Sequence, residues 1–116
     1  MDYSSTYRLA QDIRDSEEYR TYHQLKGSVM AEETTAALIR EYRKLQVTLQ
    51  MSAMSGTPAS DDDVKRFSGI SNLLFSKPEV SRYLLAEMRL QQALADIFKI
   101  LTEAADVDVG IPGVEG

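Results

Sequence analysis

Three successive aspartates, Asp61, Asp62 and Asp63, form the densest set of potential metal ligands in the sequence. Convergent carboxylates hold hard divalent cations, yet neighbours on a helix point about 100° apart and cannot meet on one ion. The D-x-D-x-D-G spacing of a calcium loop does not surround them. After Ser60 they suit the first turn of a helix, where negative charge meets the positive end of the helix dipole. His23 has the chemistry of a general base and lies beside Tyr19, Tyr22 and Leu25. Neither a Ser–His–Asp nor a Cys–His arrangement accompanies it, and such a base needs a third group to orient it. It reads as a partly packed histidine at a helix edge.

Glu87 falls between Val80, Leu94 and Phe98 on an apolar arc, with Gln91 one turn later. A di-iron carboxylate bundle places glutamates in such positions, but it also needs Glu-x-x-His motifs, which this sequence lacks. An unpaired buried carboxylate is costly, so Glu87 is expected to be half-buried against Arg43, Gln46 or Tyr42 of a facing helix. Such a pair would fix helix register or partner choice. Arg40, Arg43 and Lys44 form a short basic face, interrupted by Glu41 and without a recognisable RNA-binding motif. It reads as a solvated helix face, and a small RNA-binding module using it is the alternative function. No catalytic, metal-binding or cofactor-binding residue is assigned, and no enzyme activity or cofactor is expected.

The elements that carry these residues are read from composition and periodicity. The 116 residues include 13 basic and 18 acidic side chains, a net charge of −5, which argues against a general nucleic-acid coat. The absence of cysteine excludes disulfides, thiolate metal sites and a thiol nucleophile. No apolar run approaches the roughly 18 residues of a membrane span, and Met1–Ser5 lacks a signal-peptide pattern. A cytoplasmic protein is expected, with one helical domain over 1–105 and a flexible Gly/Pro-containing tail over 106–116.

Apolar residues recur every three to four positions, and the class is all-α. Five helices are predicted: about Ser5–Arg14; a second after the N-cap Ser16, weakened or ended near Gly27-Ser28; and a third from Glu32-Glu33 to about Ser55. The fourth follows the N-cap Ser60, and the fifth opens at Ser76-Lys77-Pro78-Glu79, read as an N-cap, first-turn Pro and capping-box Glu, and runs to about Ala105.

The long third and fifth helices decide the assembly. Leu38, Tyr42, Leu45 and Leu49 form a coiled-coil-like seam, while Val47, Met51 and Met54 fall on the other side of the third helix. The fifth carries Leu90, Leu94, Ile97, Phe98 and Leu101. Helices of about 25 and 29 residues would measure about 37 and 43 Å, against a diameter of about 35 Å for a compact chain of this size. An elongated bundle is therefore expected, with apolar flanks that a second copy or another protein must cover. The expected interface residues are Leu38, Tyr42, Leu45, Leu49, Met51, Met54, Leu90, Leu94 and Phe98, with Glu87, Gln91 and Arg43 setting register or specificity. A homodimer or higher homo-oligomer with further protein partners is the expected assembly.

Three segments, in order, carry a family resemblance: Tyr7-Arg8-Leu9-Ala10-Gln11-Asp12-Ile13-Arg14 through Tyr22, Leu38-Ile39-Arg40-Glu41-Tyr42-Arg43-Lys44-Leu45-Gln46, and Lys77-Pro78-Glu79-Val80 through Ile100. Over about residues 5–105 the chain resembles the YlbF/YmcA family of small helical proteins of Gram-positive bacteria, including YheA-like members. The resemblance implies an all-helical, self-associating, non-catalytic regulatory adaptor. It implies roles in competence, sporulation, biofilm formation or ribonuclease Y-dependent messenger processing. A YheA-like paralogue of unassigned function is the alternative. Some relatives hold iron–sulfur clusters through cysteines; with no cysteine here, that role is not carried over.

Overall fold

The computed structural model describes residues 1–107; of the expected tail over 106–116, everything after Val107 lies outside the described residues. Five helices follow one another: α1 (Ser4–Arg14), α2 (Glu17–Val29), α3 (Glu33–Ser55), α4 (Asp61–Phe75) and α5 (Pro78–Ala105). There is no strand among the described residues. The protein is all-α. At 1.5 Å per residue, α3 is about 34 Å long and α5 about 42 Å.

Short polar contacts set the helix ends. The Asp2 carboxylate accepts from the Ser4 N–H at 2.9 Å and the Ser4 hydroxyl at 2.6 Å, ahead of α1. The Ser4 hydroxyl first, and its N–H second, hold the Asp2 carboxyl below its ordinary pKa. Ser16 Oγ accepts from the Tyr19 N–H at 3.2 Å, as its N-cap assignment requires. Ser60 Oγ likewise accepts from the Asp63 N–H at 3.1 Å, and Asp61–Asp63 fill the first turn of α4. Gly56, at φ +73°, terminates α3 in the left-handed conformation that costs a residue without Cβ least.

One end signal holds and another does not. α2 ends at Val29, one residue past Gly27-Ser28, in keeping with glycine's poor helix propensity, and Val29 itself is buried. Ser76 does not cap α5. Its backbone N–H closes α4 on the Asn72 carbonyl and its hydroxyl donates to the Leu73 carbonyl at 2.7 Å, so it belongs to the end of α4, and α5 starts two residues later. Pro78 opens α5, and Glu79 accepts a hydrogen bond from the Ser28 hydroxyl.

The chain divides into two compact units, Gln24–Tyr83 and a second made of Met1–His23 with the chain from Leu84 onward. In the first, Val29, Ala36, Ile39, Leu45, Leu74, Val80 and Tyr83 are buried, Ile39 and Leu74 completely. Here α3 packs on α4. The Tyr42 ring stacks on Phe67 with centroids 5.1 Å apart and meets Phe75 edge-on at 6.1 Å. Arg66 pairs with Glu41 across the same helix pair. Lys77 Nζ donates to the buried Thr35 hydroxyl at 3.2 Å and lies 3.8 Å from Glu32, so the loop before α5 is tied to the start of α3.

In the second unit Leu84, Ala86 and Thr102 are buried, and the Thr102 hydroxyl donates to the Lys99 carbonyl at 3.0 Å. None of the eleven residues of α1 is buried.

Candidate protein-interaction surfaces

From Leu45 to the end of α3, and on through the loop to Ser60, no residue carries a charge, and Val47, Met51 and Met54 of α3 stand exposed at four- and three-residue spacing. This places them along one stripe of the helix. Beside the stripe, Leu49, Ser52, Ala53, Gly56 and Pro58 line a shallow hollow of about 340 Å³. Unbranched, polarisable methionines adapt to differently shaped partners. In the other unit, α5 exposes Leu94, Phe98 and Leu101.

The structure separates the expected interface residues into three groups. Met51, Met54, Leu94, Phe98 and Gln91 are exposed. Leu38, Tyr42, Leu49 and Leu90 are half-buried, with Tyr42 engaged by Phe67 and Phe75. Leu45 is only 4% exposed. It belongs to the chain's own core, and its part in an intermolecular seam is corrected on that ground. Val47 and Leu101 complete the exposed stripes at spacings already visible in the sequence; what periodicity could not say was which side of each helix the chain itself would cover.

Glu87 is half-buried. Arg43 is half-buried too, and its guanidinium donates to the Tyr83 hydroxyl at 3.1 Å, one helical turn before Glu87 on α5. That contact turns Arg43 inward and corrects the basic face, which shrinks to the exposed Arg40 and Lys44, with Glu41 between them held by Arg66. His23 is exposed on one side and packed on the other, its ring 4.2 Å from that of Tyr19 and 5.0 Å from that of Tyr22. Among the described residues no three His, Cys, Asp or Glu side chains are placed to hold a metal ion. A cleft of about 330 Å³ that the sequence reading missed is lined by Glu17, Glu18, Thr21, Ala86 and Arg89. It sets two carboxylates beside one guanidinium, and only the fold could bring residues this far apart in sequence together. Among the described residues no helix is long and apolar enough to cross a membrane.

These features define a small all-helical protein that leaves apolar stripes on its long helices. Comparison with known proteins makes the assignment particular. The chain belongs to the YlbF/YmcA family: the family model described as control of the competence regulator ComK, YlbF/YmcA, matches residues 3–105. It is 29% identical over 107 residues to a UPF0342 protein of Halothermothrix orenii, covering 92% of this chain and 91% of that one. A UPF0342 protein of Symbiobacterium thermophilum is 27% identical, covering 92% and 96%. A solved structure titled protein of unknown function (DUF964) from Bacillus stearothermophilus has a TM-score of 0.71 at 19% identity, covering 90% of this chain and 91% of that one. That likeness establishes the shared fold.

Proposed function

We propose that this protein is a non-catalytic regulatory adaptor that self-associates and binds protein partners in the bacterial cytoplasm. The observation that carries the reading is the uncharged, methionine-bearing stripe Val47, Met51 and Met54, exposed beside a shallow hollow on α3. A monomeric protein gains nothing in stability from large apolar side chains held in water, whereas a partner surface uses them. Methionine-rich patches suit an adaptor that meets more than one partner. Membership of a family described by control of a competence regulator supports regulation as the setting, with competence, sporulation, biofilm formation and ribonuclease Y-dependent messenger processing as candidate processes. With Arg43 committed to Tyr83, the RNA-binding alternative has less to recommend it than the adaptor reading.

The test is affinity capture from the parent bacterium with the unaltered chain and with a Met51→Asp/Met54→Asp variant. The helical signal should be retained, because both side chains already stand in water. Loss of specific co-purifying proteins with the variant supports the reading. Identical capture by both proteins refutes the stripe as the partner surface.

A further inference from the structure

The end of the α3–α4 pair that carries the methionine stripe also carries charge of one sign. Between Lys44 and Lys65 the only charged residues are Asp61, Asp62 and Asp63. They follow closely on Ala59, which lines the hollow, within the same compact unit, Gln24–Tyr83. The C-terminus of α3 adds to the negative potential there, since no basic side chain occupies its last turn. Three carboxylates exceed what α4 needs. The positive end of a helix dipole amounts to about half an elementary charge, and Ser60 already caps it. Among the described residues none of the three carboxylates forms a hydrogen bond or an ion pair, not even with Lys65 one turn on. Asp61 and Asp62 are exposed, and Asp63 is half-buried.

We propose that the stripe and its hollow receive a basic amphipathic helix of a partner protein. Its apolar face lies on Val47, Met51 and Met54, and its lysines or arginines face Asp61 and Asp62. This names the partner class within the adaptor reading and rests on it. The hollow of about 340 Å³ has room for a large apolar side chain of that helix. Methionines accept apolar faces of different shapes, so charge is left to select among partners. An acidic helix would meet repulsion at Asp61 and Asp62, and repulsion of the wrong partner is half of specificity. A second copy of this chain fits badly here. Two-fold contact at this end would bring the same three carboxylates together, with no cation between Lys44 and Lys65 to answer them.

Area and charge set the expected strength. Val47, Met51 and Met54 form a patch of about 300–400 Å², the size of a functional patch on a small protein and of a reversible contact. Exposed ion pairs add little each and are screened by salt, so the aspartates contribute selectivity and salt dependence more than affinity.

The probe is a fluorescein-labelled peptide of leucine and lysine about 14 residues long, with leucines at the helical i, i+3, i+4, i+7 spacing. Its controls are the same pattern with glutamate for lysine and a leucine–lysine peptide with the spacing scrambled. Fluorescence anisotropy with the full chain should show micromolar binding of the patterned lysine peptide alone. Met51→Asp/Met54→Asp should abolish it. Asp61→Asn/Asp62→Asn should weaken it about five-fold at low salt and flatten its salt dependence. All four positions are exposed, so circular dichroism should report intact helices in both variants. Equal binding of the scrambled peptide would reduce the effect to net charge and overturn the proposal. So would binding of the glutamate peptide, unchanged affinity and salt dependence in the asparagine variant, or no binding up to about 100 μM. The adaptor reading is judged separately: partners captured from the parent bacterium by the asparagine variant but lost with Met51→Asp/Met54→Asp would keep the stripe and overturn only the basic partner.

Discussion

Replacing Leu45 by Ala separates the core of this protein from its contact surfaces. Leu45 is 4% exposed, and the substitution removes three carbons at about 0.8 kcal/mol each, or about 2.4 kcal/mol of transfer free energy. Incomplete collapse around the gap adds a cavity cost, for a total of about 3 to 4 kcal/mol. In a chain of this size that lowers Tm by about 10–15 °C. Met54→Ala, at a residue 83% exposed, should change stability by no more than about 0.5 kcal/mol. The assay is thermal unfolding followed by circular dichroism at several protein concentrations, with sedimentation at each, because association makes Tm depend on concentration. The Leu45→Ala loss should persist at low concentration. Unchanged stability with weakened association would place Leu45 in an intermolecular seam and refute its assignment to the core.

Two further outcomes test the helix ends. Ser60→Ala deletes the acceptor of the Asp63 N–H and should cost about 1 kcal/mol in urea unfolding; no change would mean that water or Asp61–Asp63 suffices at that end. Asp2 has a folded-state pKa below its ordinary 3.8, so its contribution to the start of α1 is complete above that value and is lost as pH falls through the lowered one. Carboxyl NMR titration should report the lowered value and an upward move in Ser4→Ala, and an unmoved titration would remove the Ser4 hydroxyl as the main cause.

Helix existence and order were legible because they rest on local physics. The three-to-four spacing, the caps Ser16 and Ser60, and the aspartates after Ser60 act within one or two turns, so neighbours in sequence suffice to read them. Ser76 was misread for the same reason: it stands between two helix ends, and the local pattern gives no means of telling which of them it serves. Arg43 is the instructive case at the surface. Its place among Arg40 and Lys44 suggested a basic face, but the Tyr83 hydroxyl that claims it lies forty residues away.

The sequence by itself determined that this chain is all-helical, where its helices run, that it has no thiol chemistry, and which residues are apolar on each helix. Tertiary structure alone decided which of those apolar residues are spent. Leu45 went to the core while Met51 and Met54 stayed in water, and Val80 and Tyr83 were covered while Leu94, Phe98 and Leu101 on the same face were not. Periodicity measures direction around a single helix axis, whereas burial depends on what distant segments bring to each side of it.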